Sequence, residues 1–383
     1  ETFEARNLLA SLSDPLGNTT RWTYTPTGKS ATKVDALGRT TTYDYDIMDR
    51  LSRITYPGGD RVTIISDVVG RIARVTSPQS DFSYRYDQAD QLIAVTDELT
   101  GQTIQYAYTE AGQRSQLTDP DGLITSYTYD NRGLLQTLTR SGRVEARFEY
   151  DAAGLTVRQI AGNGAVTEYS YDASGRALSI HTKASGGATL FRQTMTRDAN
   201  SLVTRMEQVL TQPDGSQETS TLHYAYDAAN RLVSEERRDG SDTTILSQVT
   251  YVYDSNGNRA QRTEQGGAVT TYTYDAANRL LTETAGGQTI AYAYDANGNL
   301  LTETMGGQTV RYAYDHVNRL IGIDAPARAI TYVLSPDGKR LAKTVNGVIT
   351  TYLYDRLNML TEALPGQPVK YATGLSPDEH LLK

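Results

Sequence analysis

The sequence predicts an all-β protein in which antiparallel β-hairpins follow one another to form one long, curved strip. Three observations support this fold class. A Tyr-x-Tyr-Asp unit returns about every 21 residues along nearly the whole chain of 383 residues, which is typical of a repeat architecture. Each repeat carries two turn signals, with the strand-favouring residues Thr, Tyr, Val and Ile between them. No apolar stripe with helical spacing extends beyond two helical turns.

The repeated unit predicts the residues that define the array. Its two tyrosines lie two positions apart, so they point to the same face of a sheet. We expect a single array of about 16 repeats over residues 1–383, with longer hairpins within 172–254. The predicted structural repeat signature consists of Tyr43, Tyr45, Asp46, Tyr84, Tyr86, Asp87, Tyr127, Tyr129, Asp130, Tyr169, Tyr171, Asp172, Tyr224, Tyr226, Asp227, Tyr251, Tyr253, Asp254, Tyr272, Tyr274, Asp275, Tyr292, Tyr294, Asp295, Tyr312, Tyr314, Asp315, Tyr352, Tyr354 and Asp355.

One repeat, from Asp275 to Asp295, shows how the elements follow each other. The segment 275–278 reads as a turn, because aspartate favours the first turn position and asparagine tolerates a positive φ. A strand then extends to about residue 284, and the pair Gly286-Gly287 predicts a tight primed turn before the next strand. A parallel β-helix or a propeller blade is the competing arrangement. The two reversal signals in each repeat favour antiparallel hairpins.

Bulk composition excludes several classes of function. The net charge is −8 and both signs are mixed along the repeats, so no basic stripe predicts a nucleic-acid partner. No apolar run approaches the ~18 residues needed to span a membrane. There are no cysteines, and the four histidines are scattered, so we predict no metal site and no cofactor. Because the chain begins with Glu1 rather than Met, we expect it to be an internal piece of a longer protein.

The unit Tyr-x-Tyr-Asp-x-x-Gly/Asn-Arg-Leu, with Asp-Pro-x-Gly turns between copies, resembles the RHS/YD-repeat family over residues 7–362. That family includes bacterial Rhs polymorphic toxins, the cocoon subunits of Tc toxins and the YD shell of teneurins. The resemblance implies an antiparallel strip that spirals into a hollow shell, which in the bacterial members encloses a toxic C-terminal domain. The flanking cap, the cleavage core and the toxin are absent from this sequence, which ends soon after Ser376-Pro377-Asp378.

Simple geometry agrees with a shell. A strip of about 32 strands at ~4.8 Å spacing is roughly 150 Å long, and closing it as one turn would give a diameter of roughly 50 Å. A strip of hairpins also has two free edges. It lowers the cost of exposing them when it curls and stacks successive turns edge to edge.

The predicted function is therefore a non-catalytic structural scaffold, the repeat shell of an RHS-type protein that encapsulates a C-terminal toxin or effector. Its predicted partner is the enclosed toxin or effector domain of the parent protein, and its predicted location is secreted or on the bacterial cell surface. The alternative is a glycan- or receptor-binding module of the cell surface, since rows of tyrosine rings can stack on sugars. A ladder of cross-strand tyrosines that stabilises the sheet is the simpler interpretation of those rows.

Short motifs that suggest chemistry are better explained as turns. Residues 119–123 match a short form of the family's cleavage motif, and Gly28-Lys29-Ser30 resembles the end of a phosphate-binding loop. Residues 254–258 and 295–299 place oxygen ligands as calcium loops do, but without the glycine and final glutamate that an EF-hand needs. We therefore predict no catalytic residues, and an enzyme is the least favoured hypothesis. Five arginines that follow the turn aspartate are expected to stack on tyrosine rings or to pair with that aspartate: Arg50, Arg176, Arg231, Arg279 and Arg319.

Overall fold

The structure is a computed structural model that describes residues 1–364, 366–373, 375 and 380–382. The segment 376–379, where the sequence departs from the family pattern, lies outside the described residues. In chain order the strands are β1 (Thr2–Phe3), β2 (Leu9–Ser13), β3 (Thr19–Tyr24), β4 (Ser30–Val34), β5 (Thr40–Tyr45), β6 (Leu51–Thr55), β7 (Arg61–Ser66), β8 (Ile72–Ser77), β9 (Ser80–Tyr86), β10 (Leu92–Asp97), β11 (Gln102–Tyr108), β12 (Arg114–Thr118), β13 (Ile124–Tyr129), β14 (Leu135–Arg140), β15 (Arg143–Tyr150), β16 (Thr156–Ala161), β17 (Val166–Tyr171), β18 (Ala177–Lys183), β19 (Thr189–Arg197), β20 (Val203–Thr211), β21 (Gln217–Tyr226), β22 (Leu232–Asp239), β23 (Ile245–Tyr253), β24 (Arg259–Glu264), β25 (Val269–Tyr274), β26 (Leu280–Ala285), β27 (Gln288–Tyr294), β28 (Leu300–Met305), β29 (Gln308–Tyr314), β30 (Leu320–Ala325), β31 (Arg328–Leu334), β32 (Arg340–Val345), β33 (Val348–Asp355), β34 (Asn358–Leu364), β35 (Gln367–Lys370), β36 (Ala372–Thr373) and β37 (His380–Leu382).

Each strand from β1 to β35 pairs with the next one along the chain, and every pair is antiparallel, so these strands form a single sheet of 35 strands. Strands β36 and β37 form a separate two-stranded sheet. The predicted all-β fold of successive antiparallel hairpins is confirmed. A parallel β-helix does not fit, because its strands pair in parallel, and a propeller does not fit, because its strands are divided into separate four-stranded sheets. Within the described residues no helix is long and apolar enough to cross a membrane.

The strip has two rims, because its turns alternate between the two ends of the strands. We call signature rim the set of turns that follow the odd-numbered strands, and second rim the set that follow the even-numbered strands. On the signature rim, the turn at Asp275 is closed by backbone bonds from Asp275 N to Arg279 O and from Asn278 N to Asp275 O, both 3.0 Å. Asn278 has a φ of 60°. A type I turn followed by a left-handed residue is the usual three-residue hairpin loop with a bulge.

The second rim mixes the same five-residue turns with tighter ones. Gly286 and Gly287 have φ values of 57° and 77°, so both central residues of this turn are left-handed. That is the type I′ geometry predicted from the glycine pair, and it matches the twist of the flanking strands. The longer hairpins within 172–254 correspond to strands β19–β23, which have eight to ten residues each.

The most buried part of the sheet lies on one face of β11–β15. We call this the tyrosine face, because both tyrosines of each signature point to it. Ile104, Leu117 and Leu138 are at most 3% exposed there and form a cluster with the tyrosines of the same strands. Leu353 and Leu360, from strands β33 and β34, pack against this cluster. The end of the strip therefore lies across the tyrosine face of an early part of the strip.

Candidate functional site: the seam between turns of the strip

In most signatures the second tyrosine joins one repeat to the previous one. Tyr171 shows the contact: its hydroxyl donates to the carbonyl oxygen of Thr156, at the start of the preceding strand, at 2.7 Å. The same bond, at 2.6–3.0 Å, recurs along the strip and reaches the first residues of the strand after the preceding signature turn. The tyrosines that make it are Tyr24, Tyr45, Tyr86, Tyr108, Tyr129, Tyr150, Tyr171, Tyr226, Tyr253, Tyr274 and Tyr294.

The signature aspartate organises its own turn. Asp275 Oδ1 accepts from the backbone N–H groups of Ala277 and Arg279 at 2.8 and 2.9 Å, and Oδ2 accepts from Arg279 Nε at 2.6 Å. Burial would raise the pKa of Asp275, but these hydrogen bonds outweigh it and lower the pKa below its ordinary value. The same pattern of two backbone bonds recurs at Asp46, Asp87, Asp130, Asp172, Asp227, Asp254, Asp295 and Asp315.

The arginine after each turn links it to the following repeat. Arg279 Nη1 donates to the carbonyl oxygen of Asp295 at 3.1 Å, and its guanidinium lies 5.0 Å from the ring centroid of Tyr294. Arg231 lies 4.7 Å from the ring of Tyr253 in the same way. Both predicted contacts of these arginines therefore occur: stacking on a tyrosine ring and pairing with the turn aspartate. All five pair with the aspartate four residues earlier: Arg50, Arg176, Arg231, Arg279 and Arg319.

A seam forms where late repeats meet early ones. Asn297, in the signature rim after β27, donates through Nδ2 to Asp35 Oδ2 at 2.8 Å and accepts from Ala36 N at 3.0 Å. Asp35 and Ala36 belong to the second rim after β4. Arg39 Nη2 donates to Asn318 Oδ1 at 3.0 Å, which extends the contact to the next signature turn. The turn after β4 therefore meets the turn after β27, twenty-three strands later.

Further along the seam, the second-rim turn after β6 meets the signature turn after β29. The rings of Tyr56 and His316 stack with centroids 6.3 Å apart and planes at 20°. A cavity of about 510 Å³ lies beside them, also lined by Val62, Val317 and Ile321. The offset is again twenty-three strands, so successive contacts keep the same register.

A buried ion pair closes the seam near the end of the strip. Asp355, only 1% exposed, pairs with both terminal nitrogens of Arg114, which is 8% exposed. Tyr106 donates its hydroxyl to Asp355 Oδ1 at 3.0 Å, and the guanidinium lies 4.7 Å from the Tyr106 ring. Burial alone would lower the pKa of Arg114, but Asp355 raises it above the ordinary arginine value. Burial also raises the pKa of Tyr127 to about 12.

Lys370 makes a further contact between the late and the early repeats along the seam. Its Nζ lies 2.7 Å from Asp119 Oδ2 and 2.5 Å from Asp121 Oδ2, both in the second-rim turn after β12. Lys370 ends β35, so the offset of twenty-three strands recurs. At ~4.8 Å per strand this gives a circumference of roughly 110 Å and a diameter of roughly 35 Å. The diameter of roughly 50 Å expected from a single turn of the whole strip is too large, because the strip winds past one turn.

The motifs that suggested chemistry lie in turns. Asp119 Oδ1 accepts from the backbone of Asp121 and Leu123, as the signature aspartates do in their own turns. Residues 25–29, 254–258 and 295–299 are hairpin turns with the same backbone bonds. Among the described residues, no group of three or more His, Asp or Glu side chains is placed to hold a metal ion.

Sequence reasoning does not identify the residues of the seam. Asn297 stands out only as part of a calcium-like loop, and Tyr56, Arg114 and Lys370 carry no signal. The repeat pattern predicts Asp355 to be an ordinary signature aspartate. The structure instead places it at the end of β33, where the chain turns directly into β34 and Asp355 pairs with Asn358 across the hairpin. The one visible hint is Met359, which stands where the repeat unit has arginine after the turn.

Comparison with known families agrees with this geometry. The teneurin YD-shell model matches residues 178–363. The RHS repeat model matches residues 27–61, 86–124, 108–145 and 150–188, so that the two models together account for most of the chain. The chain belongs to the RHS/YD-repeat family. A search of curated proteins finds no match.

Solved structures of similar fold include a Tc holotoxin and two TcdB2-TccC3 assemblies. A structure of the Photorhabdus luminescens Tc holotoxin pore, with a TccC3 mutation, superposes with a TM-score of 0.75 at 18% identity and covers 97% of this chain. The complex TcdB2-TccC3-Cdc42 gives a TM-score of 0.61 at 16% identity over 94% of this chain. The complex TcdB2-TccC3 without its hypervariable C-terminal region gives a TM-score of 0.63 at 14% identity over 90% of this chain. This RHS/YD chain covers only 21–22% of the length of those chains.

Proposed function

We propose that this RHS/YD strip is a non-catalytic wall that encloses a polypeptide, the toxin or effector domain of its parent protein. The observation that carries the proposal is the seam. The late signature rim meets the early second rim at a constant offset of twenty-three strands. The strip has therefore closed on itself. Such closure separates an inner space from solvent.

The tyrosine face lines this inner space in our proposal. Side chains on the concave face of a curved sheet converge, whereas those on the convex face diverge. The side chains between the two signature tyrosines, such as Arg85, Ser170 and Ala293, are exposed, while the tyrosines beside them are half-buried. The chain's own last strands also pack against the tyrosine face through Leu353 and Leu360.

The neighbouring structures support the choice of cargo. One is described as a holotoxin, and another is described as lacking a hypervariable C-terminal region. By analogy, the enclosed partner here is a toxin or effector domain, and the protein is secreted or displayed at the cell surface. A single array over residues 1–383 that acts as a wall, without a reaction of its own, is the simplest arrangement consistent with the repeated contacts.

A protection experiment tests the enclosure. An unfolded, protease-sensitive polypeptide of about 50 residues is fused after Lys383, and a matched protein carries the same polypeptide before Glu1. Limited proteolysis is followed by mass spectrometry, and negative-stain images record the shape of both particles. We expect a hollow particle, and we expect the C-terminal fusion to be cut much more slowly than the N-terminal one.

Two outcomes would refute the proposal. Equal rates of cleavage for the two fusions would show that the wall does not enclose a polypeptide attached to its C-terminal end. A solid particle in the images would show that the strip has no inner space. An Asp355→Ala variant, which breaks the buried seam pair, is expected to lose the protection, and full protection in that variant would argue against the seam as the closing element.

A further inference from the structure

The tyrosine face changes its chemistry along the strip. In the early repeats, an apolar residue lies directly opposite the first signature tyrosine on the next strand. These residues are Ile54, Val95, Leu117 and Leu138, opposite Tyr43, Tyr84, Tyr106 and Tyr127. In three later repeats a glutamate takes the same place: Glu235, Glu283 and Glu303, opposite Tyr224, Tyr272 and Tyr292. A basic residue takes it in two others, Arg262 opposite Tyr251 and Lys343 opposite Tyr332. The tyrosine face therefore has an apolar sector early in the strip and an acidic sector where the glutamates lie.

The acidic sector is most regular across strands β25–β29, where tyrosines and glutamates alternate from strand to strand. We call Tyr272, Glu283, Tyr292, Glu303 and Tyr312 the Tyr-Glu ladder. Tyr312 donates its hydroxyl to Glu303 Oε2 at 3.1 Å. The two carboxylates lie two strands apart, which corresponds to about 10 Å. Burial, followed by Glu283 and Glu303, raises the pKa of Tyr292 to about 12, so the ring stays neutral at any physiological pH.

The carboxylates of the ladder differ from most acidic groups of the strip in their lack of a cationic partner among the described residues. Glu283 and Glu303 are half-buried. In the part of the chain that the structure describes, no Lys, Arg or His nitrogen lies within 4.0 Å of either carboxylate. By contrast, most arginine and aspartate side chains of the strip form ion pairs, as they do in the signature turns. The ladder thus presents negative charge and aromatic rings together on one face of the sheet.

We propose that the Tyr-Glu ladder is a docking surface for a basic, Lys- or Arg-containing segment of the enclosed polypeptide. This inference rests on the proposed function and deepens it by naming the chemistry of the partner. A cation above a tyrosine ring is attracted by the ring electrons, and an adjacent carboxylate adds a charge-assisted hydrogen bond. An acidic segment would be repelled at the same place.

Contacts of the same chemistry already hold the end of the strip, although in the first of them the early wall supplies the cation and the docked end supplies the carboxylate. The Arg114 guanidinium lies 4.7 Å from the Tyr106 ring while it pairs with Asp355, and this contact holds the end of the strip against an early repeat. Lys370 lies between the carboxylates of Asp119 and Asp121. In the ladder, the chain's own Arg259 already lies 4.6 Å from the ring of Tyr272. The rings of Tyr292 and Tyr312 and the carboxylates of Glu283 and Glu303 are in place beside it, and the partner would supply the cation to them.

Fluorescence anisotropy with labelled peptides tests the inference. The probes are a peptide of alternating Arg and Ser and a peptide of alternating Glu and Ser, each with the full chain. The test variant is Glu283→Gln/Glu303→Gln, in which glutamine can still accept the hydrogen bond from Tyr312. The matched control is Glu149→Gln/Asp324→Asn, which removes two exposed carboxylates from the opposite face and changes the net charge equally.

We expect the wild-type chain to bind the Arg-Ser peptide and not the Glu-Ser peptide. The Kd should rise at least tenfold in Glu283→Gln/Glu303→Gln and less than twofold in the control, with circular dichroism unchanged in both. Equal losses in the two variants would mean that net charge alone attracts the peptide, and would overturn the proposal. Absence of binding by the wild-type chain would overturn it too. These results are independent of the images and proteolysis, so failure of the enclosure and failure of the docking surface are distinguishable.

Discussion

The variant Asp355→Ala tests the seam most directly. Asp355 and Arg114 are 1% and 8% exposed, and the carboxylate also accepts the hydroxyl of Tyr106 at 3.0 Å. Removing the carboxylate leaves the guanidinium of Arg114 buried and uncompensated. Breaking one partner of a buried ion pair typically costs about 3–5 kcal/mol. We expect a loss of that size in the free energy that holds β33–β35 against the early repeats.

The loss should be local, because each repeat is stabilised mainly by its neighbours. A cost of about 3–5 kcal/mol corresponds to an increase of roughly 150-fold to several thousand-fold in the equilibrium constant for opening this region. Hydrogen exchange followed by mass spectrometry measures it. Amides of residues 348–364 should lose protection by that factor, while those of β19–β23, far along the strip, should exchange as in the wild type.

Two further variants make the test strict. Glu149→Ala breaks an ion pair with Arg158 in which both side chains are at least 40% exposed, and such a pair contributes at most about 1 kcal/mol. The double variant Arg114→Met/Asp355→Leu replaces the buried pair by apolar groups, and should restore most of the protection. If exchange in Asp355→Ala is no faster than in Glu149→Ala, the buried pair does not hold the seam and our reasoning fails.

Two other predictions concern the repeat itself. Tyr171→Phe removes the hydroxyl that donates to Thr156 O, and should lower the free energy of unfolding by about 0.5–1.5 kcal/mol in urea titrations. Tyr169→Phe, two residues away, should change it by less, and an equal loss would contradict the linking role of the second tyrosine. The fold lowers the pKa of Asp46, Asp130, Asp172, Asp227, Asp254 and Asp275, so their contribution to stability is present above about pH 4 and is lost as the pH falls through the lowered pKa values. Backbone hydrogen bonds from Thr243 and Thr244 lower the pKa of Asp239 to about 2. Carbon NMR of that carboxyl group measures this pKa. A free energy of unfolding that stays constant from pH 5 to 2 would contradict the predicted loss of stability.

The hairpin wall could be predicted from sequence because its determinants are local. The aspartate of a signature turn bonds to backbone groups two and four residues ahead, and the glycine pair at 286–287 sets its own backbone angles. Each of these choices is visible within a window of about five residues. The pairing order is then determined as well, since a chain of tight turns leaves each strand only its neighbours as partners.

The seam could not be predicted because it depends on how curvature accumulates. Asp35 and Asn297 meet across more than 260 residues, and a small change in twist at each hairpin would move the contact to another turn. Nothing near Asp35 in the sequence indicates which strand will arrive there. The diameter expected for the shell is too large for the same reason. Strand spacing gives the length of the strip, but it does not give the number of strands in one winding of the shell.

The seam residues also explain why regular repeats need irregular ones. In a signature turn the aspartate is occupied by its own backbone, and the arginine is occupied by that aspartate and the next repeat, so neither is available to a second winding. The contacts of the late repeats instead use positions that vary between copies, where Asn297 and His316 replace the common alanine or serine. Asp355 can reach Arg114 only because residues 355–358 no longer form the five-residue turn. The regular positions build the wall, and the substituted ones determine where it closes.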